Sequence, residues 1–360
     1  MEATTYNYSD YSGEMFTPAP PCRRDSDNDL GAYLSILFYF MFLISLLGNG
    51  LVLVIIHRFE QLTTVTNILL LNLVLSSLIF MSSLPFMAIY MQLSNWIFGK
   101  VMCKIFGSVY YLGFYSSVLF LTLLTFDRHL AVVYSLSASR MRNKRYAVAS
   151  CAIVWVVSIM ACIMQMILHT TFVHNVDNKT YCDENPIDLS SFHLHQLRAA
   201  SFYLQIFLFL LFPLIIIVYC YARIAITVIS SKIVTKFKTV RLIFIIVLLF
   251  FVSWTPFNIV LLMQDSASTC DEVQKWGYAL QVTRNLAHIY FCICPIFYTF
   301  VGRKFQNHFR HMLVKRFPRL KRHISVSQHS GNIASTKTTP NDLQDAQPCS
   351  QESSLNKPLV

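Results

Sequence analysis

Long apolar runs alternate with short polar connections along most of the chain. Seven runs are long enough to cross a bilayer, because a spanning helix needs about 20 mostly apolar residues. A transmembrane barrel would instead show alternating segments of about ten residues, which the sequence lacks. The pattern therefore predicts an all-α integral membrane protein, a seven-transmembrane helix bundle. The runs lie near 31–56, 65–91, 101–133, 146–168, 199–228, 239–263 and 277–301.

The low charge content supports this class of protein. Charged residues make up 13% of the chain and hydrophobic residues 55%, whereas a soluble domain carries about 25% charged residues. The net charge is +11, but the basic residues lie in short connections between apolar runs. A nucleic-acid-binding protein would gather them in a patch on a soluble fold. The predicted partner is therefore the lipid bilayer and not nucleic acid.

Lys and Arg in the connections predict the orientation, because cytoplasmic loops are enriched in these residues. The connections after the first, third, fifth and seventh runs are basic, and the opposite set is acidic. The basic side is therefore predicted to be cytoplasmic, with the N-terminus outside the cell. We expect a multi-pass protein of the plasma membrane.

The segments that flank the bundle are polar. Residues 1–30 contain no apolar run and are expected to form an extracellular tail, with the first hydrophobic run serving as an uncleaved signal anchor. Phe305, Phe309 and Met312 share one helical face, which predicts an amphipathic membrane-surface helix over 302–317. The remaining residues, 318–360, are polar and predict a disordered cytoplasmic tail.

Four cysteines fall on the side predicted to face outside: Cys22, Cys103, Cys182 and Cys270. An even number in an oxidising compartment indicates two disulfides, although four cysteines allow three pairings and free thiols are the alternative. Five further cysteines lie in apolar runs and are expected to be buried and inert. These are Cys151, Cys162, Cys220, Cys292 and Cys294.

Polar residues inside membrane helices are costly, so each is a functional candidate. Asp127-Arg128-His129 closes the third run and, taken alone, also fits a simple charge pair at the membrane boundary. Further landmarks follow in a fixed order: Gly48-Asn49, Trp155, Pro213, Tyr221, Phe250, Trp254-Thr255-Pro256, Pro295 and Tyr298. Prolines remove a backbone hydrogen bond and bend a helix. We therefore predict kinks at Pro85, Pro213, Pro256 and Pro295.

This ordered set, which covers about residues 30–310, resembles the rhodopsin-like G-protein-coupled receptors. The stretch from Asp127 to Val133 resembles the Asp-Arg-Tyr-Leu-Ala-Ile-Val signature of chemokine receptors. The resemblance implies that Arg128, beside Asp127, is a latch released on activation to meet a G protein, and that Trp254 lies under a ligand cavity. It also implies activation roles for the following residues: Tyr221, Phe250, Pro256, Pro295 and Tyr298.

The resemblance also implies pairings and partners. Rhodopsin-like receptors pair the cysteines equivalent to Cys103 and Cys182, which leaves Cys22 with Cys270, a second bridge that resembles chemokine receptors. The expected ligand is a basic chemokine, steered by the acidic tail. The expected ligand-binding residues are Tyr6, Tyr8 and Tyr11, of which some are sulfated in the family, and Tyr110, Trp254 and Arg284. Arrestin and receptor kinases are expected at the C-terminal tail, and glycans at Asn7 and Asn178.

Two departures from the family concern ions. Ser77 and Cys294 stand where relatives carry residues that help bind a sodium ion. Hard cations want oxygen ligands, preferably anionic. We therefore predict that the sodium site is lost, and no other metal or cofactor is expected.

Arg284 stands where many chemokine receptors carry Glu. The string from Thr283 to Ala287 resembles the receptor for the XC chemokine lymphotactin. An arginine in a membrane cavity needs acceptors, and the nearest candidates are Asp265 and the Tyr110 hydroxyl. We predict that Arg284 lines the ligand pocket; the alternative is that it snorkels to the outer surface.

The leading function is a receptor that binds a chemokine outside and activates an inhibitory-type G protein inside, leading to calcium mobilisation and chemotaxis. The alternative is an atypical receptor that scavenges chemokine and recruits arrestin without coupling. A transporter is disfavoured, because the chain lacks paired repeats with interrupted helices. No constellation of residues supports an enzyme.

Overall fold

The computed structural model describes residues 30–59, 64–134, 143–174, 178–184, 191–231, 237–264 and 269–301, together with 306, 309–310 and 312–314. Almost all of the described residues are helical. The helices are α1 (Leu30–Phe59), α2 (Val65–Met81), α3 (Leu84–Leu93), α4 (Gly99–Val133), α5 (Lys144–Leu168), α6 (Ser191–Ile206), α7 (Phe212–Ser231), α8 (Phe237–Gln264) and α9 (Cys270–Val301). A hairpin of β1 (His169–His174) and β2 (Lys179–Glu184) lies between α5 and α6.

These helices form the seven predicted spanning segments. Six segments are long and apolar enough to cross a bilayer by composition alone, and they include α2 with α3 as one span and α6 with α7 as another. The seventh span is α9, whose first turn carries Asp271 and Glu272. The predicted seven-helix membrane fold is confirmed.

Burial follows the two environments of a membrane bundle. Fully buried aromatic residues fill the interior, whereas large aliphatic residues such as Ile36, Leu47 and Val218 are exposed. In water such exposure would be unfavourable, but lipid covers it in a bilayer. Polar side chains also form hydrogen bonds between helices. For example, Trp155 Nε1 of α5 donates to Asn72 Oδ1 of α2 at 2.9 Å.

The prolines disturb their helices in different ways. Pro85 lies in the first turn of α3, after a break at Ser82 and Ser83; first-turn N–H groups have no helical partner, so proline costs little there. A π-helical turn, Phe207–Leu211, comes just before Pro213 and joins α6 to α7. Pro256 lies inside a continuous α8. The predicted distortion at Pro85 is therefore a break between two helices.

The hairpin is the one described element that the hydrophobic pattern does not predict, because its residues fall in a polar connection between two apolar runs. β1 and β2 are antiparallel, with Thr171 opposite Cys182 and His169 opposite Glu184. Threonine, valine and aromatic residues favour such strands. Asn178, in the turn, has a left-handed φ of 51°, a conformation that asparagine tolerates. The all-α bundle therefore carries one small sheet, and we call its side of the molecule the hairpin end.

In the predicted amphipathic segment, Phe309 and Met312 are half-buried and Arg310 is exposed, and all three are helical. Phe305 lies outside the described residues. The described part is compatible with a short helix, and the prediction for 302–317 stays a prediction.

Candidate functional site

The hairpin is fastened to the bundle at several points. A disulfide joins Cys182 of β2 to Cys103 of α4, which is the pairing implied by the family resemblance. The backbone N–H of Trp96 donates to the Thr180 carbonyl at 2.8 Å, and the Thr180 N–H donates to Asn95 Oδ1 at 2.8 Å. The loop between α3 and α4 therefore holds β2 from a second side.

Trp96 also anchors this loop. Its indole N–H donates to the Gly99 carbonyl at 2.9 Å, and its ring lies 5.0 Å from Phe98 and 5.4 Å from Phe106. Trp96 is almost fully buried with the disulfide. Asn95 and Trp96 therefore give the hairpin a rigid base, a role that no local sequence pattern indicates.

His169, the first residue of β1, packs directly against Gly107 of α4. A Cβ on Gly107 of α4 would lie 2.3 Å from the ring of His169. The ring is held by Nδ1, 2.9 Å from the Gln165 carbonyl oxygen, and it lies 6.3 Å from the Tyr111 ring. The glycine is therefore what allows the hairpin to lie so close to α4.

An aromatic column lies below the hairpin. The Tyr110 ring is 4.8 Å from Phe80 and 6.4 Å from Trp254. Trp254 is fully buried and stacks on Phe114 with ring centroids 3.9 Å apart, and Phe250 lies 5.9 Å beyond Trp254. Three of the predicted site residues, Tyr110, Trp254 and Phe250, are therefore joined through direct ring contacts.

Arg284 lies at the hairpin-end side of this column. Its side chain is half-buried, and its carbonyl oxygen is 2.6 Å from Nδ1 of His288. The His288 ring packs 5.2 Å from Phe80 and 5.9 Å from Tyr110. His288, which the sequence interpretation missed, therefore joins Arg284 to the aromatic column.

Several buried polar atoms around the column have no hydrogen-bond partner among the described residues. They are the Tyr110 hydroxyl, the Trp254 indole nitrogen, Nε2 of Gln281 and Oδ1 of Asn285. An unpartnered buried polar group costs about 1–3 kcal/mol. A ligand that brought its own donors and acceptors would recover that cost.

Among the described residues, Glu184 of the hairpin interacts electrostatically with Arg284. Burial raises the pKa of Glu184, and Asp183 raises it further, while the neighbouring His169, Arg198 and Arg284 lower it without offsetting burial. Asp265, the acid that the sequence suggests, lies outside the described residues. An acid that interacts with Arg284 therefore lies on β2, far from Arg284 along the chain.

A polar link ties the fifth span to the base of this site. Gln205 Nε2 donates to Asn258 Oδ1 at 2.6 Å, and Asn258 Nδ2 donates to the Trp254 carbonyl at 2.8 Å. Gln205 lies two residues before the π-turn Phe207–Leu211. Its side chain is buried, so this link has no access to lipid.

At the opposite end of the bundle, Asp127 and Arg128 form a closed pair. Arg128 Nη2 lies 2.8 Å from Asp127 Oδ2, and the same oxygen accepts a hydrogen bond of 2.9 Å from the Thr66 hydroxyl of α2. Arg128 also contacts the Thr66 hydroxyl. We call these three residues the Arg128 lock, and Thr66 is the member that the sequence interpretation missed.

Other residues predicted to act in activation lie nearby or outside the described part of the chain. The Tyr221 ring lies 5.0 Å from Phe244 of α8. His129 is buried, with its ring 5.8 Å from Tyr219. Pro295 and Tyr298 belong to α9, but their side chains lie outside the described residues.

Ser77 and Cys294, the two residues at the predicted lost sodium site, contact groups of their own helices. The Ser77 hydroxyl donates to the Leu73 carbonyl at 3.0 Å, and Cys294 Sγ lies 3.8 Å from the Tyr290 hydroxyl oxygen. Neither group is anionic, and the loss of the sodium site stays a prediction.

The structure describes only some of the remaining predicted site residues. Asn178 is exposed at the tip of the hairpin, and Cys270 begins α9. The five cysteines predicted to be buried thiols are buried and free. The tail residues Tyr6, Asn7, Tyr8, Tyr11 and Cys22 lie outside the described residues.

Seven spanning helices, a hairpin disulfide-bonded to the third span and a closed Asp-Arg pair define a seven-transmembrane receptor. The family described as 7 transmembrane receptor (rhodopsin family) matches residues 48–298. C-C chemokine receptor type 3 of Cavia porcellus is 35% identical over 333 residues, covering 87% of this chain and 91% of the relative. C-C chemokine receptor type 1 of Homo sapiens is 34% identical over 322 residues, covering 87% and 88%.

The chain therefore belongs to the chemokine receptors, within the rhodopsin family of seven-transmembrane receptors. It is a receptor and not an enzyme. Chemokine XC receptor 1 of Homo sapiens is 35% identical over 319 residues, covering 87% of this chain and 89% of the relative. This similarity does not separate the XC type from the C-C types, so the resemblance around Arg284 does not assign a subtype.

Proposed function

We propose that this receptor binds a chemokine at the hairpin end and activates an inhibitory-type heterotrimeric G protein at the Arg128 end. The relatives carry chemokine receptor names, and the acidic N-terminal tail suits a basic ligand. The chemokine body would be captured by the tail, with Tyr6, Tyr8 and Tyr11, while its N-terminus reaches the hairpin end of the bundle above Trp254.

The observation that carries the coupling proposal is the Arg128 lock. Arg128 is held by Asp127 and Thr66, and a charge-assisted hydrogen bond contributes about 1.5–3 kcal/mol. A lock of this size can be opened by a ligand that binds the open state tenfold to a hundredfold more tightly. The freed Arg128 would then contact the G protein.

The proposal is tested by exposing cells that express the receptor to a panel of C-C and XC chemokines. We expect at least one to trigger calcium release and to lower cyclic AMP, with both signals abolished when inhibitory-type G proteins are inactivated. Arg128→Ala, at matched surface expression, should lose the signals and keep chemokine binding. A receptor that signals fully without Arg128 would contradict the proposal.

The second candidate function is scavenging, and one residue favours it. His129 stands where the family signature has Tyr, and it is buried beside Tyr219, where it changes the surroundings of the Arg128 lock. A scavenger would internalise labelled chemokine and recruit arrestin to the tail after phosphorylation by receptor kinases, with no G-protein signal from any ligand of the panel. Calcium release would exclude this function.

A further inference from the structure

The direction of side chains along β2 turns one acid towards the bundle. Successive side chains of a strand point to opposite faces. Cys182 is buried and disulfide-bonded to α4, Asp183 is exposed and Glu184 is half-buried. Glu184 therefore shares the inward face of β2 with the disulfide, while Asp183 points away.

Glu184, although half-buried, has several ionisable neighbours. Its strand partner is His169, which is seated on α4 by the close contact at Gly107. Arg198 of α6 and Arg284 of α9 attract Glu184. The other ionisable groups that interact with it are Asp183, Tyr111 and Tyr115. Glu184 thus lies where the hairpin and three spanning segments converge.

The neighbouring cations do not compensate Glu184 fully. Burial outweighs their attraction, so the pKa of Glu184 stays raised and its carboxylate is less favoured than that of a solvated glutamate. A buried charge of this kind gains from a further cation. Arg284 puts a positive charge on the seventh span, where it would repel a cationic ligand group. Such a group would therefore bind Glu184 on the hairpin.

We propose that Glu184 is the residue that receives a cationic group of the ligand, namely the α-amino terminus of the bound chemokine, and that Arg284 holds this carboxylate in place. The inference rests on the proposed function. It assigns ligand recognition to the hairpin, whereas the ligand-binding residues predicted from the sequence lie on the tail, α4, α8 and α9.

The first test needs no ligand. The purified receptor is melted in detergent as the unmodified protein, as Glu184→Gln and as the matched control Asp183→Asn. Glu184→Gln removes a disfavoured charge and should raise Tm by about 2–4 °C, whereas Asp183→Asn removes an exposed charge and keeps the oxygen that accepts the Glu184 N–H at 2.8 Å.

The sign of the pH dependence follows from the raised pKa of Glu184. The stability contributed by its protonated form is fully present below the ordinary carboxyl pKa and is lost as the pH rises through the raised value. The Tm advantage of Glu184→Gln should therefore shrink as the pH is lowered from 7.5. A lower Tm for Glu184→Gln at pH 7.5 would show that the neighbouring cations already compensate the carboxylate fully, and would overturn the proposal.

The second test asks which ligand group Glu184 contacts. The most potent chemokine of the panel is used in two forms, with a free and with an acetylated α-amino terminus. Glu184→Gln should weaken binding of the free form by about tenfold or more and leave binding of the acetylated form unchanged. Asp183→Asn should weaken neither form.

An equal loss for both forms, or no loss for either, would overturn the proposal. These results differ from a failure of the proposed function, in which no chemokine of the panel binds the unmodified receptor. In that case the proposed ligand group falls as well, and the thermal comparison still measures whether Glu184 is a compensated acid.

Discussion

Gly107→Ala is expected to destabilise the receptor by pushing the hairpin away from α4. The added Cβ would lie 2.3 Å from Cγ and Cδ2 of His169 and 2.6 Å from Nδ1, far inside the carbon–carbon contact distance of about 3.5–4.0 Å. These atoms are at the base of the ring. The ring cannot withdraw without losing the contact of 2.9 Å between Nδ1 and the Gln165 carbonyl oxygen.

Two costs add up at this position. Overpacking a well-filled site costs about 1–3 kcal/mol, and loss of one hydrogen bond costs about 1 kcal/mol. With an unfolding entropy of about 2.1 cal/mol/K per residue, a chain of 360 residues loses roughly 1.3 °C of Tm for each kcal/mol, so Gly107→Ala should lower Tm by roughly 3–5 °C. Because His169 pairs with Glu184, chemokine affinity should fall as well.

The measurement is thermal unfolding of the purified receptor, and the control is Gly277→Ala, where an added Cβ meets nothing within 4 Å. A second comparison introduces Gly107→Ala into the His169→Ala background. With the ring gone, Gly107→Ala should cost little, since double-mutant cycles isolate such contacts. A Tm for Gly107→Ala equal to that of the control, or an undiminished loss without the His169 ring, would refute the reasoning.

Three further predictions concern the lock, the disulfides and the ion site. Thr66→Val removes the hydroxyl that donates to Asp127 Oδ2. Since this hydrogen bond contributes about 1 kcal/mol, the basal signal, measured without agonist as the fall in cyclic AMP, should increase by about fivefold. An unchanged basal signal would show that Thr66 has no role in the lock. Cys103→Ala should reduce surface expression, whereas Cys22→Ala should mainly weaken chemokine binding, and unchanged binding would count against the second bridge. Agonist affinity should respond alike to sodium and to a bulky monovalent cation at equal ionic strength, and a sodium-selective fall would show that an ion still binds near Ser77.

The spanning helices could be predicted because the bilayer imposes a length and an apolar composition on each segment separately. The cysteines of the apolar runs were predicted to be buried for the same reason, and they are. The Cys103–Cys182 pairing followed from the resemblance to rhodopsin-like receptors, and the Asp127–Arg128 pair from a short motif at the end of the third run.

Long-range contacts could not be predicted in the same way. The pairing of His169 with Glu184 depends on the disulfide and on hydrogen bonds of Thr180 with Asn95 and Trp96, which are distant in the chain. Thr66 reaches Asp127 across 61 residues. The sequence around Gly107 does not indicate that a histidine of another element packs against it. The residues that the sequence interpretation missed are therefore those whose role arises from tertiary packing.

The π-turn Phe207–Leu211 makes the length of the fifth span a fixed property of the protein. A π-turn accommodates one residue more than a regular α-helix would. Deleting any one residue of the turn would straighten the helix and rotate one side against the other by about 100°, the angle per residue of an α-helix. Either Gln205 would lose Asn258 or Tyr221 would lose its place against Phe244. Single-residue deletions should therefore be eliminated from this helix during evolution, even though each would leave its hydrophobicity and its ability to enter the membrane intact.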